Sequence, residues 1–125
     1  MEDKLIARLK DLGYVYEPTK DENLLTFTTD AVENKIKNRI NDTTIPAELL
    51  AIEIDMICGE FLKLKKSLGQ LTEYDFQQLV ESIKEGDTTV TFQDGASIEQ
   101  QFDSLIDSMI NGHKEDFIRH RKLVW

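Results

Sequence analysis

From Glu2 onward Leu5, Ile6, Leu9 and Leu12 recur at helical spacing, and Gly13 follows where a helix can stop, so a short first helix is predicted over 2–12. Tyr14 to Pro18 reads as a loop. Asp21 is then placed to cap a second helix with an inner face of Leu24, Leu25, Thr28, Val32, Ile36 and Ile40, ended by Asn41-Asp42. The clearest element begins after Thr44, with Pro46 in the first turn, where its missing N–H costs nothing. Leu50, Ile54, Ile57, Phe61, Leu64 and Leu68 keep its period, and Leu49, Ile52, Met56 and Leu62 widen the apolar face, as in a central helix contacted from several sides. Lys65-Lys66 and Gly69 suit its C-terminal end.

The pattern changes after Gln70. Tyr74, Phe76, Leu79, Val80 and Ile83 allow a short helix, but Glu85-Gly86-Asp87 breaks it before the alternating Thr88-Thr89-Val90-Thr91-Phe92. A strand there has no partner in an otherwise helical chain, so its backbone groups face either water in a loop or another subunit. Ser97 and Gln100 have the spacing of a capping box, opening a helix whose face is Ile98, Phe102, Leu105, Ile106, Met109 and Ile110 and which Asn111-Gly112 ends. The stretch from Lys114 to Trp125 forms one more helical segment or an extended arm, and Phe117, Ile118, Leu123, Val124 and Trp125 are too apolar to stay freely solvated. The fold expected is mainly α: one domain over 1–125, a small bundle of four to five helices, with 70–96 a long middle loop able to carry a short β-strand and 113–125 a C-terminal arm.

Composition narrows the function. A length of 125 residues with 40% hydrophobic and 31% charged residues is an ordinary globular balance. The formal charge of −9 disfavours duplex nucleic acid, whose phosphates are bound by clustered Lys and Arg. The tail differs in sign, because Lys114, Arg119, Arg121 and Lys122 outnumber Glu115 and Asp116, and it reads as a local docking surface. The single Cys58 sits in an apolar run and behaves as a buried, inert thiol in a reducing compartment. The acidic opening Met1-Glu2-Asp3-Lys4 lacks a signal-peptide core, and no apolar run reaches membrane-spanning length, so a soluble protein made in the cytoplasm is expected.

Little reactive chemistry is visible. His113 and His120 have no neighbouring pattern with metal-ligand spacing. Asp103 and Asp107 share a helical face at i and i+4, as a solvated acidic face does. Glu85-Gly86-Asp87-Thr88 lacks the second glycine and the Lys-Ser/Thr pair of a phosphate loop, and no Ser or Cys has a His-and-acid company. Glu33 with Lys37 reads as an exposed helix-stabilising pair worth about 0.2–0.5 kcal/mol. The expectation is a protein that is not an enzyme and uses neither metal nor cofactor.

Three stretches taken together resemble one family: Val32-Glu33-Asn34-Lys35-Ile36-Lys37-Asn38, then Ile83-Lys84-Glu85-Gly86-Asp87-Thr88-Thr89-Val90-Thr91-Phe92, then Asp116-Phe117-Ile118-Arg119-His120-Arg121-Lys122-Leu123-Val124-Trp125. With Ile54-Asp55-Met56-Ile57-Cys58-Gly59-Glu60-Phe61-Leu62 as a core helix, their order is similar to the head-to-tail connector (adaptor, or head-completion) family of siphovirus-like tailed phages and prophages. The resemblance runs from the second helix to the C-terminus and departs at His120, where a tyrosine is frequent. It implies a structural virion subunit at the head–tail junction, assembled in the host cytoplasm. Its copies, commonly twelve, form a ring under the portal protein after DNA packaging and present a platform to a tail-side stopper or head-closure protein. Packaged DNA would pass through without sequence-specific binding, and no membrane is involved. By position, Phe117, Arg119, Arg121, Leu123 and Trp125 look like the portal-docking arm, and Glu85, Gly86, Asp87, Thr88, Val90 and Phe92 like a loop toward neighbouring subunits or the channel. The same apolar tail could instead complete the subunit's own core. The rival from another class is a monomeric acidic helical regulator or DNA-mimic binding module, which presents carboxylates to a basic partner.

Overall fold

A computed structural model describes residues 1–83 in full, the helical backbone of 84–86, and residues 95–121. Its elements are α1 (Glu2–Asp11), α2 (Pro18–Ile40), a 3-10 turn (Ala47–Leu49), α3 (Leu50–Ser67), α4 (Glu73–Gly86), α5 (Ile98–Asn111) and α6 (Lys114–His120). The mainly helical expectation holds. Residues 73–86, inside the stretch assigned to loop and short strand, form helix α4, while the strand candidate at 88–92 lies outside the described residues. A signal for α4 was present: Thr72 and Asp75 cap each other, the Thr72 N–H donating to the Asp75 carboxylate at 2.8 Å and the Asp75 N–H to the Thr72 hydroxyl at 3.2 Å.

Helix α3 is the hub, packing against α1, α2 and α5, while α4 packs on α5 and α6 on α2. Its Met56, Ile57, Cys58, Phe61 and Leu62 are all fully buried, because the wide apolar face meets neighbours on several sides. Leu68, the C-cap just past the last residue of α3, is exposed. Leu5 and Leu9 of α1, Leu25, Val32, Ile36 and Ile40 of α2, Leu79 and Val80 of α4, and Phe102, Leu105 and Ile106 of α5 close the core. Two aromatic contacts tie elements together: Tyr14 meets Phe61 edge-on at 5.5 Å, and Phe76 meets Phe102 at 4.9 Å.

The chain breaks follow the residues. Gly13 has φ +92°, and a Cβ there would come within 2.9 Å of the Ser82 hydroxyl, so the end of α1 rests close against α4. Asn41 ends α2 in the left-handed region at φ 54°. Ser97 and Gln100 form the expected capping box of α5. The start of α2 differs from the expectation: Pro18 is its first residue and Asp21 lies inside the first turn. Asp21 still caps, but from within, because its carboxylate accepts the Glu17 N–H at 3.0 Å.

Gly59 lets α3 and α5 approach closely. An added Cβ would lie 3.0 Å from Ile110 Cγ1 and 3.2 Å from Met109 Cβ. Gly59→Val should therefore overpack this seam and destabilise the fold by about 1–3 kcal/mol, measured as a lower denaturant midpoint.

Candidate functional site

The most elaborate polar assembly lies where the α1–α2 loop, the first turn of α2 and the end of α3 meet. Asp21 and Lys65 side chains are 2% and 7% exposed, and Lys65 Nζ donates to Asp21 Oδ1 at 2.8 Å. The Tyr14 hydroxyl donates to Asp21 Oδ2 at 2.8 Å, and Lys65 also donates to the Gln70 side-chain oxygen. Both charges thus have several hydrogen-bond partners, Lys65 two and the Asp21 carboxylate three, the condition under which a buried pair is tolerated. Burial opposes ionisation of Asp21, but the hydrogen bonds from Lys65, from the Glu17 N–H and from Tyr14 outweigh it and hold the carboxyl below its usual range. Burial, and then the hydrogen bond to Asp21, hold the Tyr14 phenol well above its ordinary value. The Asp21 carboxylate and the neutral Tyr14 phenol are thus the forms present at neutral pH.

This network floors an open groove of about 900 Å³ flanked by Val15 and Tyr74, which are 80% and 68% exposed. Glu17, Lys20 and Asp75 also line it, with Lys20 3.3 Å from the Glu17 carboxylate. A groove this open does not enclose a small molecule.

A second polar feature crosses α2 and α3. Glu53 is buried, and burial, then the charge of Glu33, push its carboxyl up to about 7. Glu33 is half-buried, so it is not the freely solvated partner of Lys37 that the sequence suggested. Cys58 is fully buried, and burial, then the charge of Asp55, push its thiol up to about 12, which suits an inert core residue.

The expected site residues fall out as follows. Phe117 is not part of a free arm: it is 2% exposed, packed in the core, with the Arg39 guanidinium 4.6 Å from its ring centre. A seven-residue helix on the surface of α2 needs one large apolar anchor, and Phe117 is that anchor. Its neighbour Ile118 is 63% exposed. Arg119 is exposed and paired with Asp116, and Arg121 leaves α6 in extended, exposed backbone. Leu123 and Trp125 lie outside the described residues, as do Asp87, Thr88, Val90 and Phe92. Glu85 and Gly86 form the last turn of α4.

Asp103 is bound by Lys66 at 2.6 Å, and Lys66 also reaches Glu99, so this face of α5 is tied to the end of α3. Asp107 accepts from Asn111. The rings of His113 and His120 each contact a carbonyl one turn back, those of Met109 and Asp116. Among the described residues no group of three or more His, Cys, Asp and Glu is arranged to hold a metal ion, and no helix is long and apolar enough to cross a membrane.

Fold and surfaces together define a mainly α protein, a small helical bundle around one central helix. No protein-family model matches the chain, and no curated protein or solved structure matches it.

Proposed function

We propose that this protein is a ring-forming head-to-tail connector of a tailed phage or prophage, a structural subunit that docks on the portal after DNA packaging and offers a platform to a tail-side stopper or head-closure protein. The observation that carries the reading is the geometry of α6. Phe117 pins this helix to the bundle and leaves Ile118 and Arg121 exposed, and the sequence that follows at 122–125 is apolar and basic. Aromatic and arginine side chains are enriched at interface hot spots, and modest contacts repeated around a closed ring reinforce one another. The docking residues are then Arg119, Arg121, Leu123 and Trp125, with Phe117 as their anchor in the subunit. In the same reading Glu85, Gly86, Asp87, Thr88, Val90 and Phe92 supply the contacts to neighbouring subunits or the channel. The similarity of the three sequence stretches to connector proteins supports the same assignment. The net charge of −9 suits a channel through which DNA slides without sticking.

Native mass spectrometry and electron microscopy of the protein mixed with the portal ring of its virus test this. A closed ring of this chain seated on the portal is the expected result. A protein that stays monomeric beside the portal and instead captures a basic nucleic-acid-binding protein would replace this reading with the acidic regulator or DNA mimic.

A further inference from the structure

Two exposed apolar side chains mark one end of the bundle. Val15 of the α1–α2 loop and Tyr74 in the first turn of α4 are left largely in water, and both line the groove of about 900 Å³. Tyr74 also lines a second hollow of about 490 Å³ between α4 and the start of α5, together with Glu73, Gln77 and Glu81. It therefore stands on a ridge with a depression on either side, and Glu73, Asp75 and Glu81 set carboxylates along that ridge. The cations of the groove do not offset them, because Lys20 is held by Glu17 and Lys65 by Asp21. A tyrosine held out between two concavities offers a partner an aromatic anchor.

The opposite end of the chain's bundle carries the complementary chemistry. Lys114 and Ile118, four residues apart, share an exposed face of α6, and the exposed Arg121 follows its last turn. Of the acids on α6, Asp116 is paired with Arg119, and Glu115 lies about a quarter turn from this face. Phe117 fixes α6 beside Arg39, near the end of α2, whereas the groove lies at Glu17 and Asp21, where α2 starts. From Asp21 to Arg39 the helix runs about 27 Å at about 1.5 Å per residue. Helix α6 therefore cannot cover the ridge of its own subunit. We propose that the Tyr74 ridge receives the α6 face of a second copy of this chain, so that each subunit is joined at both ends.

Charge selects this pairing over the alternatives. Two ridges face to face would set Glu73, Asp75 and Glu81 against their own copies, and two α6 faces would set Lys114 and Arg121 against theirs, so an isologous dimer is disfavoured on either surface. Ridge against α6 instead brings Lys114 and Arg121 to the carboxylates and Ile118 to Tyr74 and Val15. Each copy carries −9 overall, but charges more than about 8 Å apart are largely screened at physiological ionic strength, so the local pairing decides. The contact is heterologous, and its repetition closes a ring or extends a filament. It deepens the ring-forming reading and rests on that reading for closure, while the contact itself is a property of the isolated chain. Leu123 and Trp125 are left to the portal.

Sedimentation velocity of the full chain from micromolar to millimolar concentration tests the pairing. The wild type should associate as concentration rises, and less so as salt is added. Glu73→Lys and Lys114→Glu should each weaken association by about tenfold or more, and mixing the two variants should restore it, since each supplies the charge that the other has lost. Both residues are exposed. If Glu73→Lys does not fold, Glu81→Lys takes its place in the same mixture. NMR of the isotope-labelled wild type maps the surfaces: concentration-dependent shifts centred on Val15, Tyr74 and α6 support the pairing. A wild type that stays monomeric throughout, variants that associate as the wild type does, or a mixture that fails to recover overturns it. A ring that forms on the portal equally well with either variant overturns this pairing alone. Association at these two surfaces without any binding to the portal overturns the connector reading and leaves the pairing standing.

Discussion

Lys65→Met should destabilise the protein by about 3–5 kcal/mol, the usual cost of removing one partner from a buried ion pair. The methionine fills most of the volume of the lysine stem, so the loss comes from Asp21, which is left 2% exposed with its charge uncompensated. The Tyr14 hydroxyl and the Glu17 N–H still donate to it, which places the expected value toward the lower end of that range. Asp21→Asn should cost a comparable amount for the opposite reason, since it leaves Lys65 charged in the same site. Chemical denaturation of the two single variants and the double variant measures the coupling. Additive losses would show that the two side chains act independently. The same network sets the acid limit. Asp21 has a folded pKa below its unfolded value of 3.8, so its contribution is present above that pH and is lost as pH falls through the folded value. Lys65→Met should therefore unfold at a higher pH than the wild type on acidification.

Phe117→Ala should cost about 3–5 kcal/mol, because the ring is fully buried and its removal leaves a cavity under α6 and strips Arg39 of its cation–π partner. If the tail docks on the portal as proposed, removing residues 121–125 should leave the melting temperature nearly unchanged; Arg121, where the deletion starts, is exposed and follows the last helical turn. Comparing the two separates anchoring from docking. Loss of portal binding on truncation, with the melting curve preserved, is the result expected of a docking surface. Unfolding on truncation would make these residues part of the core instead. Circular dichroism melts and co-sedimentation with the portal ring give both readouts.

Much of the fold was legible because apolar periodicity reports directly on which face of a helix is removed from water. The inner face of α2 was read as Leu24, Leu25, Thr28, Val32, Ile36 and Ile40, and all but the partly buried Leu24 are buried. The face of α5 and its capping box were equally plain, because Ser97 and Gln100 are a local signal that no distant contact can alter. The surface residues of the docking site are less legible, since exposure alone does not distinguish a docking residue from a solvated one. Phe117 shows the difficulty: a lone aromatic in a short basic helix has no period to declare which way it faces, and only its packing beside Arg39 decides.

Polar residues on inward positions are the hardest to read from the sequence. Lys65 lies four residues after Phe61, and Asp21 four before Leu25, so both occupy buried registers. Lys65 was assigned to the helix end because a lysine in a last turn is favourable in any case. Glu53, four residues before Ile57, was passed over in the same way. Whether such a residue turns outward or is buried depends on a partner tens of residues away: 44 for the Asp21–Lys65 contact.

The residue pattern by itself determined the helical class, the central position of α3, and the helix ends at Gly13, Asn41 and Ser97, because these depend on local backbone preference and on the fraction of each face that must leave water. Only the tertiary structure decided that Asp21 and Lys65 share a buried site, that Glu53 is buried, and that Phe117 belongs to the core. The energy of a buried charge or a single ring is set by the atoms opposite it, and those are brought into place by packing rather than by neighbours in the chain.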